Sequence, residues 1–190
     1  IPLTVDIRIS NINRQGYSTH DVGKFKVNAL AKRIKQINPH AQVKKYPIFV
    51  DIKNAARLVH KADIIFDTID PDAAQAVIAM HRAAQKEHKT IIQPTDIGWG
   101  ASVQIFTPDS ISYEKMIGLN PQTPLEKVNN QEAFGKFIEF FVKIMPPYVQ
   151  KIAMEVAEGK RAHYPQPVSA SYILSAMTVI AAKRVACDEP

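Results

Sequence analysis

The sequence predicts an α/β fold with a mostly parallel sheet flanked by helices and a helical C-terminal part. Three observations predict it. Short apolar runs bounded by acids or turn residues, Ile64-Ile65-Phe66 and Thr90-Ile91-Ile92-Gln93-Pro94, alternate with helical stretches, the pattern of strand-helix units feeding a parallel sheet. Residues 22–37 repeat apolar side chains at three- and four-residue intervals (Val22, Phe25, Ala29, Leu30, Ile34, Ile37), which marks an amphipathic helix. Residues 133–190 carry apolar stripes of helical spacing and no strand-like alternation.

In chain order, residues 1–9 (IPLTVDIRI) alternate like a strand and open onto the polar loop Ser10-Asn11-Ile12-Asn13-Arg14-Gln15. Asp21 is placed to cap the helix that follows, and Asn38-Pro39 stops it. Residues 41–50 read as a strand and its exit, with Val43 and Tyr46 apolar and Pro47 limiting pairing. A short helix over 51–61 follows, with Asp51 as cap. Asp63–Asp70 (DIIFDTID) reads as a central parallel strand, and 71–88 as a helix with Pro71 in its first turn. After the 90–94 strand, residues 95–119 read as a strand pair and turn. Gly98 and Gly100 flank Trp99 so that the backbone can bend, Val103, Ile105 and Phe106 supply the strand, and Tyr113–Gly118 make a short helix.

Residues 120–132 (NPQTPLEKVNNQE) are polar and carry prolines, so they form a loop. The helical stretch 133–158 is broken or kinked at Pro146-Pro147. Its stripe of Phe134, Phe137, Ile138, Phe141, Ile144 and Met145 suits a core or subunit contact. A last apolar helix runs over 168–186, with small residues Ala170, Ser171, Ser175 and Ala176 permitting close packing. The expected organisation is therefore an α/β domain over 1–119, a loop or linker over 120–132, and a helical part over 133–190 packed on the same domain.

Composition excludes several classes. A single cysteine, Cys187, rules out an internal disulfide and suits a reducing cytoplasm. No apolar stretch approaches the ~18 residues needed to cross a bilayer; Tyr172–Ala182 comes nearest, and it reads as a core helix. No secretory signal is present. The net charge of +6 and pI near 9.4 would suit nucleic acid, yet the lysines look scattered and no aromatic residues interleave with them. A surface that attracts anionic nucleotides or an acidic partner explains the charge as well. The seven glycines cannot be written as G-x-G-x-x-G, the histidines form no metal-spaced pair, and neither a Walker lysine motif nor a Ser-His-Asp arrangement is signalled.

Two places carry chemistry. Arg14 keeps its charge and offers a planar fork suited to phosphate oxygens, and Lys26, expected in the second turn of the helix that follows, stands near that loop. The pair could share one anion, or could be incidental charges at a solvated helix start. Asp67 and Asp70 sit at the carboxyl end of a strand, where ligands of open α/β sheets bind. A carboxylate there could hold Mg²⁺ beside substrate phosphates, or cap the helix that begins at Pro71.

The strings SNINRQ, VGKFKV and INPHAQV, followed by Asp67-Thr68-Ile69-Asp70 as D-x-x-D, resemble in order and type the ThiF/MoeB family, the activating enzymes of the ubiquitin and sulfur-carrier systems. Four motifs in order over the first 70 residues make the resemblance specific; it is strong to about residue 107 and general beyond. It implies a Rossmann-like fold and adenylation of the C-terminal carboxylate of a small ubiquitin-like sulfur-carrier protein or peptide, with ATP and Mg²⁺ as cofactors. By the same resemblance Ser10, Asn11, Arg14 and Gln15 match the polar loop near the phosphates, Lys26 the phosphate-binding lysine, and Asp70 the acid on the metal side. Arg14, Lys26 and Asp70 are the implied catalytic set. A crossover loop over the substrate's tail would fall near 120–132, and relatives pair as dimers.

The sequence departs from the family pattern in places. No first strand, glycine-rich turn and helix are readable before residue 10. The acidic residue expected eight positions before Asn11 is Leu3, with Asp6 three residues too late. The two C-x-x-C pairs of zinc-bearing relatives and a thiol nucleophile cannot be formed with one cysteine. Two alternatives follow: a catalytically silent partner subunit of the family, and its relative that dehydrates a modified adenosine of tRNA, the latter favoured by the basic pI.

Overall fold

The structure is a computed structural model that describes residues 6–161 and 164–189. Leu3, His163 and most of the strand expected over 1–9 lie outside the described residues. Contacts divide the chain into two compact units, one running to Phe49 and one from Val50.

In the first unit the chain enters through an isolated antiparallel bridge between Asp6 and Phe25. Ile7 is buried, and its backbone exchanges hydrogen bonds with Lys24 (2.9 Å, from Ile7 N–H) and Gly23 (2.8 Å, to the Ile7 carbonyl). A 3-10 turn over Ile9–Asn11 opens the polar loop, with Asn11 Oδ1 accepting from the Arg8 N–H at 2.9 Å. Asp21 does not cap the long helix. It closes its own 3-10 turn, Thr19–Asp21, by accepting from the Ser18 N–H (2.9 Å) and hydroxyl (2.8 Å), and Gly23 at φ 81° then redirects the chain. Helix α1 therefore starts later than expected, at Lys26, and runs to Ile37, with Asn38 as its C-cap. None of its residues is buried. The strand expected over 41–50 is absent: these residues pair with no other strand among the described residues, and Pro47 removes a donor besides.

The second unit is organised on a three-stranded sheet in the order β1-β2-β3. Asp51 starts it by accepting from the Lys53 and Asn54 N–H groups (2.9 Å each), after which α2 covers only Ala55–Val59. Strand β1 is Ile64–Phe66. Helix α3, Ala74–Lys86, begins three residues after Pro71 because Asp70–Ala73 forms a turn closed by the Ala73 N–H on the Asp70 carbonyl (2.9 Å). Strand β2, Thr90–Ile97, pairs parallel with β1, setting Phe66 beside Ile92.

Strand β3, Gly100–Phe106, returns antiparallel on β2, Ile97 facing Gly100. The sheet is thus mixed and not mostly parallel. The physical reason is the two-residue Gly98-Trp99 connection, which can join only antiparallel neighbours. Gly98 sits at φ 62°.

Helix α4, Tyr113–Ile117, ends on Gly118 in the left-handed conformation. The segment before α5 is not plain loop. A 3-10 turn at Leu125–Lys127 is held along α3, where Gln75 Nε2 donates to the Leu125 (3.2 Å) and Val128 (3.1 Å) carbonyls. Pro146-Pro147 separates two helices, α5 Asn130–Val142 and α6 Pro147–Ala157. Of the α5 stripe, Phe137 and Phe141 are buried and Ile144 is exposed. The core gathers Val77, Ile78, Ile91, Phe106, Tyr113 and Phe141 between α3, the sheet and α4–α5.

Helix α7, Val168–Ala186, has the expected bounds but is not a core helix. It lies against β2 and β3, with only Ala170 and Ala181 buried on it; Tyr172 (73% exposed), Val179 (68%) and Ile180 (60%) face outward. At 19 residues and mean hydropathy 1.2 it is also long and apolar enough to cross a membrane by length and composition alone, which corrects the expectation that no such stretch exists.

Candidate functional site

In the first unit the polar loop is fastened to α1 at both ends. At its near end Phe25, directly before Lys26, bridges Asp6. At its far end Arg33 Nη1 donates to the Gly16 carbonyl at 2.7 Å. Lys26 and Arg33 are seven residues apart, so they return to the same side of a 3.6-residue helix. The Arg33 contact therefore fixes the far end of the loop on α1.

Within the loop, Arg14 Nη1 donates to the Ser10 carbonyl (2.9 Å) and to Asn13 Oδ1 (3.2 Å), and the Gln15 N–H reaches the Asn11 carbonyl (2.9 Å). Ser10, Asn11, Arg14 and Gln15 thus form one tightly folded turn. Lys26 is the first residue of α1, not part of its second turn, and it is half-buried. The N-cap position, Phe25, provides no side-chain acceptor. An uncapped helix start with a lysine in its first position is unfavourable by itself, since the helix dipole is positive there. The same arrangement is complementary to an anion.

The segment through Phe49 contains nine Lys and Arg residues against two acids, while the whole chain carries +6.

In the second unit the two acids at the end of β1 have separate environments. Asp67 is 1% exposed and its carboxylate is saturated: Oδ1 accepts from the Ile69 N–H (3.0 Å), and Oδ2 from His81 Nε2 (3.0 Å) and Gln93 Nε2 (3.1 Å). Asp67 is therefore no metal ligand. Asp70, three residues on, is exposed in the turn before α3. Among the described residues no three His, Cys, Asp or Glu side chains gather into a metal cage. An exposed carboxylate such as that of Asp70 fits Mg²⁺ carried on nucleotide phosphates, because that ion keeps waters and takes few protein ligands.

The His81 ring lies between Phe106 (centroids 4.7 Å apart, edge-on) and Tyr113 (4.8 Å). Burial, with the charge of Asp67 and of Glu114, pushes the Tyr113 phenol far above its ordinary range. Glu114 is itself buried and paired with Arg82 Nε at 2.7 Å.

Sequence patterns did not reveal this Asp67–His81–Gln93 cluster. Its only signal is an acid ending a strand whose parallel neighbour carries an interior glutamine. Arg33, inside the helical pattern, gave no signal of its role.

A small mixed sheet packed with helices places the second unit among the α/β proteins. The model of the ThiF family matches residues 5–188, and the chain belongs to that family. It is 34% identical over 98 residues to a probable molybdopterin-synthase adenylyltransferase of Gracilaria tenuistipitata, covering 51% of this chain and 27% of that protein. It is 34% identical over 65 residues to the sulfur carrier protein adenylyltransferase of Thermus thermophilus, covering 34% and 24%. The chain thus spans about a quarter of the length of these curated relatives.

Among solved structures, PaaA superposes with a TM-score of 0.57 at 24% identity, over 95% of this chain and 52% of that one. The E. coli MccB structure with MccA-N7isoASN superposes at 0.55 and 16%, over 95% and 46%. These likenesses show the fold.

Proposed function

We propose that this chain takes part in ATP-dependent adenylation of a carboxylate, the acceptor being the C-terminus of a small ubiquitin-like sulfur-carrier protein or a peptide. The observation that carries this reading is the fastened loop beside an uncapped, lysine-bearing helix start. That combination has no structural advantage and is suited to bound phosphate. The family, whose adenylyltransferases are similar to this chain over part of its length, supports the same chemistry.

In the proposed reaction the acceptor carboxylate attacks the α-phosphorus of ATP. The bond from that phosphorus to the bridging oxygen breaks, pyrophosphate leaves, and an acyl-adenylate remains. The carboxylate is already ionised, so no general base is required. The task is to bring two anions together, which is positioning and charge neutralisation. Arg14 and Lys26 neutralise phosphate oxygens, Ser10, Asn11 and Gln15 shape the loop around them, and Asp70 faces the metal side. Asp70 would help to hold Mg²⁺ carried on the nucleotide, and the ion would supply further charge neutralisation. The acceptor's activated end passes to a nucleophile from elsewhere, and the exposed α7 face suits a second copy of the chain.

Exchange of labelled pyrophosphate into ATP in the presence of a carrier protein tests the proposal. Arg14→Ala and Lys26→Ala each abolish exchange if the proposal holds; full retention in both removes these residues from the mechanism. Calorimetry with Mg·ATP separates an active chain from a silent partner, which binds none. The basic first unit favours a second reading, the tRNA-directed relative, for which the supporting result is tRNA binding that weakens steeply with salt.

A further inference from the structure

A buried carboxylate must be compensated by several donors or it is strongly unfavourable. Asp67 meets that requirement through three parts of the second unit at once: the Ile69 N–H in its own turn, His81 on α3 and Gln93 on β2. A buried ionic contact of this kind is weak evidence for stability, since apolar replacements serve as well, and is better understood as fixing one geometry.

What it fixes can be read from the two oxygens. Oδ2 accepts from His81 and Gln93, and Oδ1 accepts from the Ile69 amide. Ile69 precedes Asp70, whose carbonyl closes the turn onto Ala73. His81 in turn has little freedom, being 5% exposed with Phe106 and Tyr113 on either side. The chain of contacts therefore runs from a ring clamped in the core, through a buried carboxylate, to the backbone that presents the exposed acid.

We propose that His81 is a positioning residue for Asp70, acting through the Asp67 carboxylate and the Ile69 amide. This rests on the adenylation reading only for the purpose that Asp70 serves; the hold of His81 on the turn stands apart from it. His81 touches no reacting atom in this account.

The test compares His81→Leu, which keeps bulk and removes the donor, with His81→Gln, whose amide restores a donor at the same reach. Two quantities are read: hydrogen exchange of the Ile69 amide relative to Ile91, and the Mg²⁺ concentration giving half-maximal pyrophosphate exchange. Loss of a charge-assisted hydrogen bond predicts that both move by about tenfold in His81→Leu, and that His81→Gln returns both toward wild type. Unchanged Ile69 exchange in a folded His81→Leu protein overturns the proposal, as does equal loss in both variants.

If His81→Leu does not fold, Gln93→Met removes the other donor to the same oxygen, and unchanged Ile69 exchange there overturns it equally. Should the wild-type chain exchange no pyrophosphate, the adenylation reading fails by itself, and the Ile69 amide still decides whether His81 governs the turn.

Discussion

Arg33 and Gly16, seventeen residues apart, are joined by a 2.7 Å hydrogen bond from the guanidinium Nη1 to the backbone carbonyl. The bond sets where the far end of the Ser10–Gln15 loop lies on α1. Removing it should loosen the loop and leave the fold intact, because Arg33 is exposed. Arg33→Ala is expected to change stability by less than about 0.5 kcal/mol, and to weaken Mg·ATP binding by roughly fivefold as the site loses preorganisation. Urea denaturation and calorimetry on the same preparation check both.

Arg82 has a different importance. Its Nε meets buried Glu114 Oε1 at 2.7 Å, and its Nη2 donates to the Thr123 carbonyl at 2.7 Å, tying the 120–129 segment to α3. Glu114 Oε2 is already buried without a partner, so Arg82→Ala leaves an uncompensated carboxylate. The expected loss is about 3–5 kcal/mol, measured by urea denaturation, with Glu114→Gln in the same background recovering part of it.

Gly98 forms the tip of the β2–β3 hairpin at φ 62°, where a Cβ would press into Val149 Cγ2 and the Tyr148 hydroxyl. That hydroxyl also accepts the Trp99 N–H at 2.7 Å. Gly98→Ala combines backbone strain with a steric conflict and should destabilise by about 1–3 kcal/mol. Denaturant midpoints decide it, and a neutral result would mean that α6 yields at the hairpin.

Tyr113 makes the alkaline limb of the stability curve specific. Its folded phenol is pushed up by burial first and by the Asp67 charge next, so the folded state holds the proton more tightly than the unfolded chain. That stability is fully present below the ordinary tyrosine value of about 10. It is lost as pH rises above that value toward the folded one. Tyr113→Phe should flatten the decline above about pH 10, as read from thermal midpoints across the alkaline range.

The long helices and the strand-helix alternation were legible because periodicity reports one buried face at a time. Helix α7 shows the limit of that signal: its bounds were readable, but an apolar 19-residue stretch does not say how much of itself is covered. The start of α1 was misjudged because Asp21 is a good cap, and nothing in spacing alone shows that Ser18 and Gly23 make it cap a separate turn. The candidate residues Arg14, Lys26 and Asp70 came from motif order. The Asp67–His81 contact was invisible because it joins residues fourteen apart through the packing of α3 on the sheet.

The central proposal is that Arg14, Lys26 and Asp70 all serve one bound triphosphate. Titrating the isotopically labelled protein with Mn²⁺·ATP and following paramagnetic broadening of its amide signals tests it most directly. The account predicts that the amides of Arg14, Lys26 and Asp70 broaden together at the lowest additions, while that of Lys136 on α5 persists. Broadening confined to Arg14 and Lys26, or to Asp70 alone, would contradict it.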